Sequence, residues 1–349
     1  MSRDSAEIRM GVAGVGYWGS KHVRVLRSTT GVGTVVGIDP QLAGSNCGPQ
    51  SLDCDAVVYA NLADALDHID AVVIATPPST HASLGLQALA AGKHVLIEKP
   101  LAITVAEARS LVEAADSAGV VLMSGHTFEH NAAVHKLRDL VRSRELGDLY
   151  YLDCARLNLG LYQDDVNVIV DLASHDISII NFVLGRWPTT VTAWGSRHVH
   201  AELEDVAYLR LDYANPDVRV NINVSWLHPT KVRRITAVGS KKMAVYDDLA
   251  VDERIRVYDK AAIPPGEGAG PLSKVAYHLG DLASPFVAFA EPLAVQDQQF
   301  ADCILENLQP TTDGNSGLAV VQVLEAAQTS LLEQRPVAIT EAQEWVDAR

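Results

Sequence analysis

The residues Gly14, Gly16 and Gly19 have the spacing of a phosphate-binding turn, with Tyr17 and Trp18 between the last two glycines. The motif follows an apolar run and precedes a helical pattern, which is the context that makes a GxGxxG sequence informative. Glycines allow a tight turn and let the backbone approach a pyrophosphate, whose charge is favoured at a helix N-terminus. The motif therefore predicts a dinucleotide site that includes all five residues.

A carboxylate twenty residues after Gly19 indicates which dinucleotide is bound. Asp39 ends the next predicted strand, where it would accept hydrogen bonds from a ribose diol and repel a 2′-phosphate. No Lys or Arg occurs between Arg27 and Lys93 to attract such a phosphate. We therefore expect NAD rather than NADP as the cofactor. The alternative is that Asp39 and Pro40 form only a strand-ending turn.

Polar residues also follow two further predicted strands. Thr76, Pro77 and His81 come after one strand, and Glu98 and Lys99 come at the end of the next. Open parallel sheets bind ligands at the carboxyl ends of their strands, so we expect these five residues at the cofactor site. The ammonium of Lys99 would also hydrogen-bond a reacting hydroxyl and stabilise developing alkoxide charge. The alternatives are a proline-stiffened loop and an ordinary surface lysine.

Asp171 and His175 are four residues apart at the start of a predicted helix. This spacing places both side chains on one face, where a carboxylate can orient and polarise an imidazole. A histidine held in this way can accept the proton of an alcohol while hydride leaves the same carbon. A lone helical histidine is more often a packing or capping residue, so this interpretation depends on Lys99 and the dinucleotide site.

Strand and helix patterns alternate in the first part of the chain and predict a doubly wound parallel α/β sheet over residues 1–125. Within it, Thr104 and Glu107 form a capping box and Gly119 closes a helix over Thr104–Ala118. The predicted strands are Ile8–Val15, Thr34–Asp39, Ala71–Ala75, His94–Glu98 and Val120–Ser124.

After a further amphipathic helix that we expect to end at Gly147, short strands joined by turns predict a second domain over residues 126–349. This would be an α+β domain with an open, mostly antiparallel sheet. Its predicted strands are Tyr150–Leu157, Thr190–Gly195, Val206–Tyr213, Val218–Trp226, Arg234–Val238 and Met243–Tyr246. Its other predicted features are a helix over Asp171–Leu184, a turn at Asn215-Pro216, a loop over Ala261–Pro271 and a helix over Leu318–Leu332.

The composition argues against several classes of protein. The 349 residues include 28 Lys and Arg against 43 Asp and Glu, a net charge of −15 that would repel nucleic acid. Pro77 and Pro78 interrupt the longest uncharged stretch, and Asp4 and Glu7 do not fit a secretory signal, so we expect no membrane association. The cysteine spacing predicts no metal site or disulfide and a cytoplasmic location. The cysteines are Cys47, Cys54, Cys154 and Cys303.

The chain resembles the glucose–fructose oxidoreductase/inositol dehydrogenase (Gfo/Idh/MocA) family in four respects. These are the GVGYWG turn, the Glu98-Lys99-Pro100 tripeptide, the Asp171 and His175 pair, and the order of domains. The resemblance implies a Rossmann domain and an open-faced sheet through which members usually form tetramers, with a homodimer as the alternative. It also implies NAD(P)-dependent oxidation or reduction of a sugar or cyclitol hydroxyl.

In that family Lys99, Asp171 and His175 match the catalytic positions. Two residues depart from the family pattern, since Ala173 replaces a frequent glycine and Ser178 replaces a frequent aspartate. Neither change removes a proton carrier, so we expect them to alter only the shape of the pocket.

The stretch from Arg156 to Asn167 resembles a subgroup found with sugar-nucleotide and aminosugar biosynthesis, in which a hydroxyl is oxidised to a ketone. We expect oxidation at the 3-position, with Asn158 in the substrate pocket beside the catalytic residues. Arg156 would suit a nucleotide diphosphate, whereas Asp164 and Asp165 would suit a cationic aminoglycoside. The substrate is left open between these two.

Two other functions remain possible on the same scaffold. One is a catabolic dehydrogenase of inositol or a free sugar. The other is a non-catalytic regulator that senses NAD, because fold alone does not determine function. Retention of Lys99, Asp171 and His175 together favours an enzyme, since a sensor would need none of them.

Overall fold

The computed structural model describes residues 7–43, 57–214, 216–264 and 274–339. The described residues form two compact units. The first contains the residues through His130 together with Ala290–Glu325, and the second contains Asn131–Phe289 together with the residues from Ala326 onward.

A six-stranded parallel sheet forms the centre of the first unit. Its strands are β1 (Ile8–Ala13), β2 (Val32–Ile38), β3 (Val58–Tyr59), β4 (Ala71–Ile74), β5 (His94–Glu98) and β6 (Leu122–Gly125). They lie in the order β3-β2-β1-β4-β5-β6, and each neighbouring pair is parallel. Successive strands are added to one side of β1 up to β3 and to its other side from β4 onward. The boundary between β1 and β4 is therefore the switch point of a Rossmann fold. The predicted parallel sheet is confirmed.

Both faces of this sheet are buried, which explains why its strands are nearly continuous runs of Val and Ile. Val72 and Ile74 pack on one face with Leu111, while Val73 packs on the other face with Phe300. Phe300 comes from a helix late in the chain, so the core of the first unit is completed by residues distant in sequence. The helices of the described residues are α1 (Tyr17–Leu26), α2 (Leu62–Ala65), α3 (His81–Ala90), α4 (Val105–Ala118), α5 (Ala132–Arg142), α6 (Ser174–Leu184), α7 (Pro292–Glu306) and α8 (Gly314–Glu333).

The predicted helix after β5 is confirmed with its capping box. The Glu107 N–H donates to Thr104 Oγ1 at 3.2 Å, and the Thr104 N–H donates to Glu107 Oε2 at 3.1 Å. Gly119 adopts φ +65 directly after α4, a backbone conformation that favours glycine.

A nine-stranded mixed sheet forms the second unit. Its strands are β7 (Leu149–Leu159), β8 (Thr190–Ser196), β9 (Val206–Tyr213), β10 (Val218–Ser225), β11 (Leu227–Gly239), β12 (Met243–Asp247), β13 (Ile255–Ile263), β14 (Ala276–Ala283) and β15 (Val337–Ala338). Their order is β14-β13-β12-β11-β7-β10-β9-β8-β15. The pair β7 and β10 is parallel, and the other pairs are antiparallel, so the predicted open, mostly antiparallel sheet is confirmed.

The helix predicted to end at Gly147 ends five residues earlier, at Arg142. The Arg142 guanidinium turns away to donate to the carbonyl oxygen of Phe182, at 2.8 Å, near the end of α6. Arg144 then adopts φ +59 and Gly147 φ +84, so the intervening residues form a turn rather than more helix. Gly147 marked this turn in the sequence, but the spacing of the apolar side chains did not show that the helix ends at Arg142.

The loop prediction over Ala261–Pro271 is wrong at its start, because Ala261, Ala262 and Ile263 extend β13 and pair with β14. The remainder of that loop, from residue 265, lies outside the described residues, as do Asn215 of the predicted turn and both Cys47 and Cys54. Cys154 and Cys303 are buried free thiols.

Two features are absent from the described residues. None of their helices has the length and apolar character needed to cross a bilayer. Within the same ranges, no group of His, Cys, Asp and Glu side chains is arranged to hold a metal ion.

Candidate functional site

The three glycines of the turn after β1 have three different roles. Gly14 adopts φ +79, and a Cβ there would lie 2.8 Å from Thr76 Cγ2. A Cβ at Gly19 would lie 1.8 Å from the Gly14 carbonyl oxygen, so α1 packs directly on the turn. At Gly16, by contrast, no atom lies within 4 Å of an added Cβ. The turn is thus tight at its two ends and open in the middle, as approach of a pyrophosphate requires.

The first residues of α1 present polar and aromatic groups beside this opening. Gly16 caps the helix without a side-chain hydrogen bond, so backbone N–H groups of the first turn point outward. Tyr17 and Trp18 are exposed, and their rings contact edge to face at 5.5 Å. The Lys21 ammonium lies 3.9 Å from the centre of the Tyr17 ring. A helix N-terminus with a nearby cation favours an anionic ligand.

Asp39 lies directly after β2, half-buried beside the glycine turn. The Val15 N–H donates to Asp39 Oδ2 at 3.0 Å, and the Gln41 N–H donates to Asp39 Oδ1 at 2.9 Å. These bonds fix the carboxylate in place and leave lone pairs on both oxygens to accept the hydroxyls of a ribose. The glycine turn and Asp39 together fit NAD.

The loop after β4 is fastened to the segment after β5 by a buried histidine. His81 Nδ1 lies 2.8 Å from the Pro100 carbonyl oxygen, and Nε2 lies 2.9 Å from that of Thr76. Burial lowers the pKa of His81. The Thr80 hydroxyl donates to the Pro77 carbonyl at 2.8 Å and lies 2.7 Å from the Thr76 hydroxyl oxygen, which closes the loop. These two contacts of His81 hold the ends of β4 and β5 in place relative to each other.

Glu98 and Lys99 lie at the carboxyl end of β5, on the same edge of the sheet as the glycine turn. The Glu98 side chain is buried, and its Oε2 accepts the Lys99 N–H at 3.1 Å. Lys99 is half-buried at this edge.

The sequence analysis missed two buried residues. His22 contacts Glu98, and Asp297 contacts His22. His22 Nε2 lies 3.0 Å from Glu98 Oε1, and His22 Nδ1 lies 3.0 Å from both oxygens of Asp297 on α7. We call Asp297, His22 and Glu98 the buried triad. Burial lowers the pKa of His22, but the charges and hydrogen bonds of the two carboxylates outweigh it and raise the pKa to about 10. Burial raises the pKa of Asp297, whereas hydrogen bonding to His22 holds that of Glu98 below its usual value despite burial.

A signal for His22 was present in the sequence. Gly19, His22, Val23 and Leu26 recur on the buried face of α1, so a titratable side chain occupies a core position. Asp297 carried the same kind of signal, because it lies between Leu293 and Phe300 on the buried face of α7. The sequence did not show that His22 and Asp297 are partners, since they are 275 residues apart.

A second buried histidine, His126, follows β6 at the same edge. Neither ring nitrogen has a hydrogen-bond partner among the described residues. Burial lowers the pKa of His126 to about 4, so the imidazole is neutral at physiological pH.

In the second unit, Asp171 does not begin an α-helix as predicted. Ile169–Ala173 form a π-helical turn, and α6 starts only at Ser174. The wider turn alters the stacking of residues four apart that the prediction assumed, and such turns often occur at functional sites. The Asp171 carboxylate accepts a hydrogen bond from Trp226 Nε1 at 3.0 Å, which anchors it to the end of β10.

Arg156 of β7 is buried rather than placed on an open pocket wall. Its guanidinium donates to both carboxylate oxygens of Asp176, at 2.9 and 3.0 Å. Asp176 raises the pKa of Arg156 although burial lowers it. This bidentate pair ties β7 to the first turn of α6, next to His175. Sequence reasoning did not identify Asp176 as the partner.

Asn158, Tyr162 and Trp226 form a polar and aromatic cluster beside Asp171. A Cβ on Gly160 would lie 2.9 Å from Asn158 Oδ1 and 3.1 Å from Trp226 Cδ1, so the backbone at Gly160 is in close contact with both Asn158 and Trp226. The rings of Tyr162 and Trp226 are 5.2 Å apart. Asn158 Oδ1 and the Tyr162 hydroxyl have no hydrogen-bond partner within the described ranges.

The two remaining predicted substrate residues, Asp164 and Asp165, lie on an exposed bend between this cluster and the π-helical turn. The first unit therefore brings together the predicted cofactor residues and Lys99. In the second unit, Asn158 and Asp171 both lie close to Trp226, and His175 follows four residues after Asp171, in the first turn of α6.

Two family models match the chain. Residues 8–126 match the NAD-binding Rossmann fold of the GFO/IDH/MocA oxidoreductase family, and residues 134–245 match the C-terminal domain of that family.

Relatives of known activity differ in substrate. UDP-N-acetylglucosamine 3-dehydrogenase of Acidithiobacillus ferrooxidans is 28% identical, over 90% of this chain and 94% of the relative. Inositol 2-dehydrogenase of Rhizobium meliloti is 24% identical, over 95% of this chain and 99% of the relative. Among solved structures, GenD2 from gentamicin A biosynthesis in complex with NAD is similar in fold, with a TM-score of 0.78, 24% identity and coverage of 97% of this chain and 98% of that one.

Proposed function

Because the chain belongs to the GFO/IDH/MocA family and is an NAD-dependent sugar oxidoreductase, we propose that it oxidises a ring hydroxyl at the 3-position of a biosynthetic sugar. The sugar is carried on a nucleotide or forms part of an aminoglycoside. The observation that carries the proposal is that each unit contains one part of a site. One part is the NAD site, with Lys99 at the same edge of the sheet. The other part is the cluster around Asp171 and His175, whose polar and aromatic groups suit a sugar ring.

We assign each of the three residues one role. His175 is the general base that takes the proton of the reacting hydroxyl, and Asp171 orients it. The Lys99 ammonium binds the same hydroxyl and stabilises the negative charge that develops on its oxygen. Bound NAD supplies the hydride acceptor. The C–H hydrogen leaves as hydride and the O–H hydrogen as a proton, so the products are a ketone, NADH and protonated His175.

Other residues support these roles by holding them in place. Trp226 fixes one Asp171 oxygen through its indole N–H. The buried pair of Arg156 and Asp176 fixes the helical turn that carries His175. We therefore propose Arg156 as a positioning residue.

The substrate arms of the proposal receive different support. Asn158 Oδ1 and the Tyr162 hydroxyl, which have no hydrogen-bond partner in the described part of the chain, lie next to aromatic surface. This arrangement suits the hydroxyl groups and C–H faces of a sugar. Because the Arg156 guanidinium already binds Asp176, it is less suited to bind a diphosphate. The exposed carboxylates of Asp164 and Asp165 favour a cationic sugar. The 28% identity to a UDP-N-acetylglucosamine 3-dehydrogenase supports the nucleotide arm.

A substrate panel tests the proposal. UDP-glucose, UDP-N-acetylglucosamine and a glucosyl aminoglycoside are each incubated with enzyme and NAD, and NADH is followed by absorbance. We expect one of the three to react well. Faster reaction of free inositol would replace the biosynthetic function with the catabolic one, for which the similarity to inositol 2-dehydrogenase over 95% of the chain is the specific support.

We further propose a homotetramer, or a homodimer, assembled through the sheet of the second unit in the cytoplasm. Trp194 and Tyr208 are cross-strand neighbours on this sheet, and each is about half exposed, at 59% and 49%. Tyr277 and Leu279 of β14 are exposed by 75% and 76%. Apolar patches of this kind mark interaction surfaces. Light scattering coupled to size-exclusion chromatography tests the assembly, and a monomer at micromolar concentration would contradict it.

A further inference from the structure

The buried triad is connected directly to the backbone of Lys99. Asp297 contacts one ring nitrogen of His22, Glu98 Oε1 contacts the other, and Glu98 Oε2 accepts the Lys99 N–H. The side chains of His22 and Asp297 are fully buried. Nothing in the proposed reaction uses His22 or Asp297, so the burial of three ionisable groups needs another explanation.

The geometry of the triad indicates one net negative charge. Both nitrogens of His22 face carboxylate oxygens, which only accept hydrogen bonds, so a doubly protonated ring satisfies both contacts and a neutral ring satisfies one. The pKa of His22, about 10, is consistent with the protonated ring. Two carboxylates and one imidazolium sum to −1, in an interior where solvent screens charge weakly.

The position of Glu98 relates this charge to the cofactor. Ligands of an open parallel sheet bind outside the carboxyl ends of the strands, across the switch point between β1 and β4. Asp39 on the β2 side is placed to bind the adenosine ribose, so the nicotinamide end belongs to the side of β4 and β5. The oxidised nicotinamide ring carries a positive charge, and the reduced ring is neutral.

We propose that the buried triad biases binding toward the oxidised cofactor by holding one net negative charge at the carboxyl end of β5. The triad thus distinguishes NAD⁺ from NADH by charge, in addition to fixing the backbone of Lys99. The inference rests on the NAD site and is independent of which sugar is oxidised.

Binding measurements without any sugar test this inference. The dissociation constants of NAD⁺, by calorimetry, and of NADH, by fluorescence, are measured for the wild type, Asp297→Asn and Glu98→Gln. The titrations are made at pH 6, below the ordinary histidine pKa of about 6.5, so that His22 keeps its proton opposite one carboxylate. Each variant removes one negative charge, from opposite ends of the triad, with almost no change of shape.

We expect the ratio of the NAD⁺ to the NADH dissociation constant to rise about fivefold in both variants, or about 1 kcal/mol. Glu306→Gln is the matched control, because it removes an exposed carboxylate at the end of the same helix and should leave the ratio unchanged. Equal weakening of both cofactors would assign the triad to the fold alone and overturn the inference. Failure of both variants to fold, judged by circular dichroism, would overturn it as well; if one folds, that variant decides.

Discussion

At the scale of single residues, two kinds of group contribute to the proposed chemistry. Some are proposed to contact the ligands, and others hold those side chains in position. Lys99 and His175 are half-buried at the carboxyl end of β5 and at the start of α6. Both are supported by buried ion pairs, the triad in one unit and Arg156 with Asp176 in the other. Residue type and spacing in the sequence indicated the proposed reacting groups. They did not indicate which residues pair, neither His22 with Asp297 nor Arg156 with Asp176, because these contacts join separate elements.

Loss of either reacting group should lower turnover with little effect on folding. For Lys99→Ala and His175→Ala we expect kcat to fall about a hundredfold or more, the scale of a general acid–base group. NAD binding should survive in both. Lys93→Ala, at the opposite end of β5, and His228→Ala, in the largely exposed first part of β11, are the matched controls. Near wild-type turnover in His175→Ala would remove that residue from the reaction.

Asp39 should decide between the two nicotinamide cofactors. We expect NAD to bind at least tenfold tighter than NADP, about 1.4 kcal/mol, because the carboxylate beside the glycine turn repels a 2′-phosphate. Asp39→Ala should narrow this difference. Titration of both cofactors measures it, and equal wild-type affinities would contradict the assignment.

At the scale of secondary-structure elements, local patterns predicted the parallel strands and α4 well. Val and Ile runs marked strands buried on both faces, and the Thr104 and Glu107 capping box marked a helix start. The π-helical turn at Ile169–Ala173 was not predicted, and within it Asp171 contacts Trp226, which is 55 residues away in the chain. Among the missed strands, β14 shows no buried face, so it lacks the alternation that predicts a strand. β13 does alternate at its start, where Ile255 and Val257 are buried and Arg256 and Tyr258 are not, and this signal was missed.

The glycine turn offers a prediction about an element. Gly19→Ala should displace α1 and lower both stability and NAD affinity, because its Cβ would lie 1.8 Å from a backbone oxygen. Gly16→Ala should fold normally, since that position opens onto empty space, but should weaken NAD binding by obstructing the pyrophosphate. Thermal unfolding and NAD titration separate the two effects. Equal thermal stability of both variants would show that the packing of α1 on the turn is not needed.

At the scale of the whole molecule, burial of charge makes stability depend on pH. The folded-state pKa of His22 is about 10 and its unfolded value is 6.5, so the folded state binds the proton more tightly. This contribution to the free energy of unfolding is fully present below about pH 6.5 and is lost as pH rises toward 10. His22→Gln should therefore make the decline of stability between these pH values shallower. Urea unfolding across the range measures this, and an unchanged slope would show that His22 carries no extra proton in the folded state.

We propose that this chain transfers hydride from the 3-position of a sugar to NAD. The most direct measurement uses UDP-N-acetylglucosamine and a glucosyl aminoglycoside, each deuterated at C3 of the sugar, with mass spectrometry of the reduced cofactor. We expect one of these sugars to yield singly deuterated NADH and a 3-keto sugar, and His175→Ala to yield almost none of either product. Unlabelled NADH would place the oxidation at another carbon. If folded protein that binds NAD reduces none of it with either sugar or with inositol, the chain is not a sugar dehydrogenase, and a cofactor-sensing regulator is favoured.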